Sequence, residues 1–242
     1  MSILINVQYS VFSNNRIEPT PDVVNNMLSD LNAMGKYVFI PNMIAGQNID
    51  LLAGRVNPLN NISFVTLDQQ VQIACMNERI DVTINGTDKN QNIPIEDHIR
   101  FARSALKKIM EKKHIYSNRL AVNISFLSDF IEDPIQETPL GEKIINTLDF
   151  YNGTPLEEWS SRFNARRTVQ VETSELLNVI TELSSVLDNA SGKKRFLCHM
   201  DINTIFENAG YRFSADSLER FDGEVMNMIT EIKRNFEEAC NG

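Results

Sequence analysis

The sequence predicts an α+β fold: two antiparallel β-meander-plus-helix units packed in one compact body, closed by a long C-terminal helix. Three observations lead there. Ile3, Ile5, Val7, Tyr9 and Val11 alternate with Leu4, Asn6, Gln8 and Ser10 at the period of a strand. β-Branched residues cluster between Ile62 and Ile84, with turn signals at Asp68-Gln69 and Asn77-Glu78. Leu218, Phe221, Val225, Met228, Ile229, Ile232, Phe236 and Ala239 recur at helical spacing.

Taken in order, residues 3 to 12 read as the first strand. Thr20-Pro21-Asp22 then supplies an N-cap, a proline at the first helical position and an early carboxylate, and Gly35 a stop, so a helix is predicted from about 21 to 34. Its apolar stripe of Val23, Val24, Met27, Leu28, Leu31 and Met34 is core. A short strand follows at Tyr37 to Ile40. Ile44 to Leu59 has no clean period and contains Gly46, Gly54 and Pro58, which predicts an irregular, partner-facing excursion. Three antiparallel strands are predicted at 62–67, 71–76 and 79–84, ended by the polar break Asn85-Gly86-Thr87-Asp88-Lys89-Asn90.

Pro94 opens the second helix, Glu96 and Asp97 occupy its first turn, and Lys112-Lys113-His114 closes it, an order that suits the helix dipole. Its buried face is Ile95, Ile99, Ala102, Leu106 and Ile109, and Leu120, Val122, Ile124 and Phe126 continue as a strand. Glu132-Asp133-Pro134 through Pro139 and Gly141 read as a connector, placing the boundary between a 1–135 unit and a 136–242 unit. In the second unit Trp159 to Val171, Leu176 to Val186 and Arg195 to Ile202 form another meander. Leu176 to Leu187 has helical spacing as well, but Val179, Ile180, Thr181 and Val186 favour the strand. The closing helix runs from Ser214 onwards, with Gly223 costing it roughly 1 kcal/mol relative to alanine. Arg119 to Ile124 and Arg195 to Met200, each an arginine leading into a strand, favour two related layers.

Composition excludes more than it names. At 242 residues, 42% hydrophobic, the chain has material for one large core. No apolar run approaches the roughly 20 residues of a membrane span, and Met1 to Asn6 has no basic n-region, so no membrane association and a cytoplasmic location are expected. Cys75, Cys198 and Cys240 are odd in number and widely spaced, and with His98, His114 and His199 they match no zinc pattern, so neither disulfides nor a metal site is expected. Phosphate-loop and dinucleotide fingerprints are missing, so no cofactor is expected.

Two clusters remain as candidate sites. His199 and Asp201 lie two apart on one strand face, where they could act as a base and its orienter, joined by a second carboxylate such as Glu172 or Glu158 in a hydrolase or nuclease. Arg100, Arg103, Lys107, Lys108, Lys112 and Lys113 crowd the exposed side of the second helix, and Arg166-Arg167 and Lys193-Lys194-Arg195 could lie near one another if the second meander folds as expected. Such a surface could hold nucleic acid, but a net charge of −9 argues against bulk attraction to phosphates. Another protein is therefore the expected partner, bound without catalysis. Exposed strand edges also allow a homodimer.

The runs Ile73 to Ile84 and Ile95 to Phe126, with Phe196-Leu197-Cys198-His199-Met200-Asp201-Ile202 and the helix ending at Cys240, carry a resemblance. In these segments the chain resembles a functionally uncharacterised, sporadically distributed bacterial family of similar length, and it departs from that pattern over Ile44 to Leu59 and Ile131 to Pro155. The resemblance implies no catalytic residues. It implies patchy inheritance, as seen for accessory, defence or toxin-neutralising genes.

Overall fold

A computed structural model describes residues 2–50, 55–131, 159–189 and 191–241. Nine strands and three helices follow one another among the described residues. They are β1 Ile3–Ser13, α1 Pro21–Asn32, β2 Phe39–Asp50, β3 Arg55–Thr66, β4 Val71–Cys75, β5 Arg79–Asn85, α2 Ile95–Lys113, β6 Ser117–Leu127, β7 Ser160–Gln170, β8 Ser174–Leu187, β9 Lys194–Thr204 and α3 Ser217–Asn241. The strands form a single antiparallel sheet in the order β2-β3-β4-β5-β1-β6-β9-β8-β7. The α+β class is as the sequence predicts. The expected halves share this one sheet, because β6 pairs directly with β9 from Ala121↔Asn203 to Leu127↔Leu197.

The three described helices lie on one face of the sheet: α1 on β2, α2 on β1 and β5, α3 on β6, β7 and β9, with α2 touching both others. Strand alternation sends Val7, Tyr9 and Val11, Ile80, Val82 and Ile84, and Phe196, Cys198, Met200 and Ile202 towards the helices, where all are essentially inaccessible. Burying each large apolar side chain contributes about 1.5–3 kcal/mol, so this layer dominates the fold's stability. Among the described residues no helix is long and apolar enough to cross a membrane.

Local signals explain most boundaries. The Thr20 hydroxyl accepts from the Val23 N–H at 3.4 Å, with Pro21 at the first turn of α1. His114 takes the left-handed conformation (φ 51°) that stops α2. Gly86 sits against β1, donating its N–H to the Ile5 carbonyl at 2.6 Å, and a Cβ there would overlap the Leu4 carbonyl. The Gln91 side chain completes that join, accepting from the Leu4 N–H at 2.9 Å and donating to the Leu4 carbonyl at 2.8 Å.

Two expectations change. The short strand at 37–40 begins at Phe39 and runs on to Asp50. Residues 44–50 and 55–59 of the supposed excursion belong to a long β2–β3 ladder, paired through Gly46↔Leu59 and Gln47↔Pro58. Pro58 is tolerated because β4 pairs with β3 only from Ile62 onward, so β3 has a neighbour on one side alone at this point. The expected boundary connector, 132–141, lies outside the described residues. Cys75, Cys198 and Cys240 are free thiols, and burial pushes each of them up to about 12.

Candidate binding surface

With the helices gathered on one side, the other side of the sheet is a broad polar face that no described helix covers. Cross-strand register sets its residues in rows. One row runs Gln72, Thr83, Gln8, Asn123, Asp201 and Ile180. A second runs Asp81, Ser10, Ala121, Asn203, Asn178 and Arg166. A third runs Asn85, Asn6, Ser125, His199, Glu182 and Arg162. Ser10 donates to Asp81 at 2.6 Å, and Arg79 reaches the same carboxylate at 2.6 Å.

His199 and Asp201 share this face, as their spacing predicts, but they do not pair with each other. The His199 Nδ1 lies 2.9 Å from the Ser125 hydroxyl, and Asp201 accepts from the Asn203 amide at 2.8 Å. Glu172 is engaged elsewhere, by Arg220 at 2.8 Å and the Ser217 hydroxyl at 3.0 Å, and Glu158 lies outside the described residues. No group of three or more metal-binding side chains converges among the described residues.

The cations of α2 meet carboxylates of α2 itself, of α1 and of the start of α3. Arg100 pairs with Asp97 at 2.9 Å, Arg103 with Asp222 at 3.4 Å, and Lys107 with Asp216 at 2.6 Å. Lys108 and Lys112 both approach Asp30 of α1, at 3.9 and 3.8 Å. The contacts to Asp30, Asp216 and Asp222 tie α2 to α1 and to the start of α3, and the exposed ones among them are weak because water screens them. The hydrogen bond between them raises the Lys107 ammonium and lowers the Asp216 carboxyl from their usual ranges.

The basic residues of the second meander do not gather, contrary to expectation. Register sets Arg166 level with Asn203, eight positions along β9 from Arg195, which is roughly 27 Å in an extended strand. Arg195 is buried, its guanidinium 3.6 Å over the Phe130 ring and bonded to the Ser128 carbonyl at 3.2 Å. Lys194 begins β9, where its carbonyl accepts from the Ile131 N–H at 3.1 Å. Arg166 pairs with exposed Glu207 at 3.3 Å, and Arg167 lies on the helix side of β7 beside Met228 and Glu231 of α3.

That leaves the two edges of the sheet, which are treated very differently. At β2 the Asn32 side chain of α1 binds the outward backbone of Phe39, accepting its N–H at 2.7 Å and donating to its carbonyl at 3.4 Å. Outward positions therefore alternate from Phe39, and Pro41, which has no N–H to offer, occupies the next one. Both devices blunt the edge.

At β7 the Trp159 carbonyl accepts from Ser185 and the Val171 N–H donates to Thr173, both at 3.1 Å, so the odd residues bond inward towards β8. The N–H and C=O groups of Arg162, Asn164, Arg166 and Thr168 then point out of the sheet. The side chains from Arg162 to Thr168 are all exposed, Phe163 at 58%. Arg162 and Phe163 were not singled out by sequence reasoning. The run Arg162-Phe163-Asn164-Ala165-Arg166-Arg167 does hold a signal, an alternating strand without a carboxylate, but only the topology makes it an edge.

Comparison with known protein families and with curated proteins finds no match to this chain.

Proposed function

We propose that the protein is a non-catalytic interaction protein that takes up its partner by adding a strand to the open edge of β7. The observation that carries this reading is the row of outward N–H and C=O groups from Arg162 to Thr168, beside an exposed phenylalanine and on an edge that, among the described residues, lacks the devices found at Phe39 and Pro41 of β2. Such an edge is a ready template for main-chain pairing with another chain. Of the two units read from the sequence, the second, 136–242, is the one that presents this edge. The patchy inheritance implied by the family resemblance directs the search for the partner to a toxin or defence effector that the protein restrains.

The test is a photo-reactive residue at Thr168 in cells of the native host. The reading expects one cross-linked species that disappears when Asn164→Pro removes an outward N–H, while the same probe at Asn42 near the β2 edge gives none. Cross-linking unaffected by Asn164→Pro, in a protein whose melting transition is intact, would contradict it.

A further inference from the structure

We infer that the segment received by β7 is an acidic, extended stretch of a different protein, in which carboxylates alternate with apolar residues. This rests on the edge reading above and adds the chemistry of the occupant. In a strand added to β7, residues opposite Arg162 and Arg166 share the open face with those guanidinium groups, at Cβ separations of about 5 Å. The two arginines are four positions apart, about 13 Å, which matches carboxylates four apart in the incoming chain.

The residues opposite Phe163 and Ala165 fall on the helix side. There Phe163, Leu183, Ile232 and Phe236 line a shallow groove of about 250 Å³ between the sheet edge and α3. Apolar side chains suit that side, so one strand period serves both requirements.

Charge selects the occupant further. The protein carries −9 overall, yet β7 holds Arg162, Arg166 and Arg167 and no carboxylate. A second copy of β7 would set arginines against arginines, which is unfavourable across a strand pair, so a homodimer through this edge is disfavoured. Arg162 makes no ion pair among the described residues, although Glu182 lies across from it on β8. The Arg166–Glu207 contact is exposed on both sides, so an incoming carboxylate can replace it at small cost.

The experiment uses two blocked, fluorescein-labelled peptides of about ten residues, a typical strand length, one alternating glutamate with valine and one alternating lysine with valine. Fluorescence anisotropy of the full chain should show saturable binding of the glutamate peptide, weakening as salt rises, and none of the lysine peptide. The double variant Arg162→Glu, Arg166→Glu should lose about tenfold or more in affinity for the first and gain binding of the second. Phe163→Thr should weaken binding without changing the charge preference.

Equal binding of both peptides, binding of neither, or a charge-reversed variant that still prefers glutamate would overturn the acidic partner. If the Thr168 cross-link persists and depends on Asn164 in that case, the edge reading stands and only its chemistry is wrong. Sedimentation showing a dimer that Asn164→Pro dissociates would replace the foreign segment by a second copy.

Discussion

Gly86 is held by contact. Its backbone closes on the Leu4 carbonyl so tightly that no side chain fits, and alanine there must push β1 away from the loop that Gln91 anchors. Gly86→Ala is expected to destabilise the fold by about 1–3 kcal/mol, the usual cost of overpacking, read as a lower denaturant midpoint with an unchanged slope.

Two buried ionisable residues set opposite limbs of the pH profile. Asp222 is 6% exposed between β1, α2 and α3, and burial pushes its carboxyl up to about 7, while the Tyr9 hydroxyl and Arg103 pull it down. Its folded value lies above the ordinary 3.8, so the folded state holds the proton more tightly, and stability falls as pH rises from about 4 through 7. Three pKa units correspond to about 4 kcal/mol, so Asp222→Asn should gain up to that much on the native protein between pH 4 and 8.

His98 works the other way. It is fully buried, and burial holds it below the usual 6.5, with a backbone hydrogen bond at Asn90 opposing, Lys36 adding to the effect and Asp97 opposing it. A depressed folded value means the stability present above about 6.5 is lost as pH falls. Chemical denaturation of His98→Leu across this range should show a flatter acid limb than the native protein, and an unchanged limb would remove His98 from the explanation.

At the level of elements, hydrophobic period was enough wherever one face of a strand or helix meets the core. The strands from Ile62 to Ile84, helix α2 and the C-terminal helix were legible for that reason. β8 was ambiguous because its middle is intermediate in exposure on both faces, and its position between β7 and β9 decides the matter. The β2–β3 ladder was hidden by Gly46 and Pro58, which read as breakers yet sit in a ladder whose far side has no neighbour at that point.

The candidate site was less legible than the fold. Same-face placement of His199 and Asp201 follows from alternation, but their hydrogen-bond partners, Ser125 and Asn203, are fixed by pairing register and by local side-chain geometry. The cations of α2 looked like a patch because the sequence does not reveal that Asp30 of α1, Asp216 just before α3 and Asp222 of α3 meet them.

For the whole molecule, strand order is the property that local sequence leaves open. β1, first in the chain, becomes the central strand, and β7 becomes an edge although two strands follow it. This order gathers the described helices on one side, leaves a polar face on the other and makes β7 an edge without the devices found at Phe39 and Pro41. The arginines of that edge oppose self-pairing, so sedimentation at micromolar concentration should find no dimer that depends on β7.

The most direct measurement is residue-resolved amide hydrogen exchange along β7. The account predicts alternation in the free protein, with Phe163, Ala165 and Arg167 protected by β8 while Arg162, Asn164, Arg166 and Thr168 exchange fast, and slowing of that second set when the glutamate–valine peptide is added. Protection of the second set in the free protein, or no change on adding a peptide that binds, would show that the β7 edge is not where the partner sits.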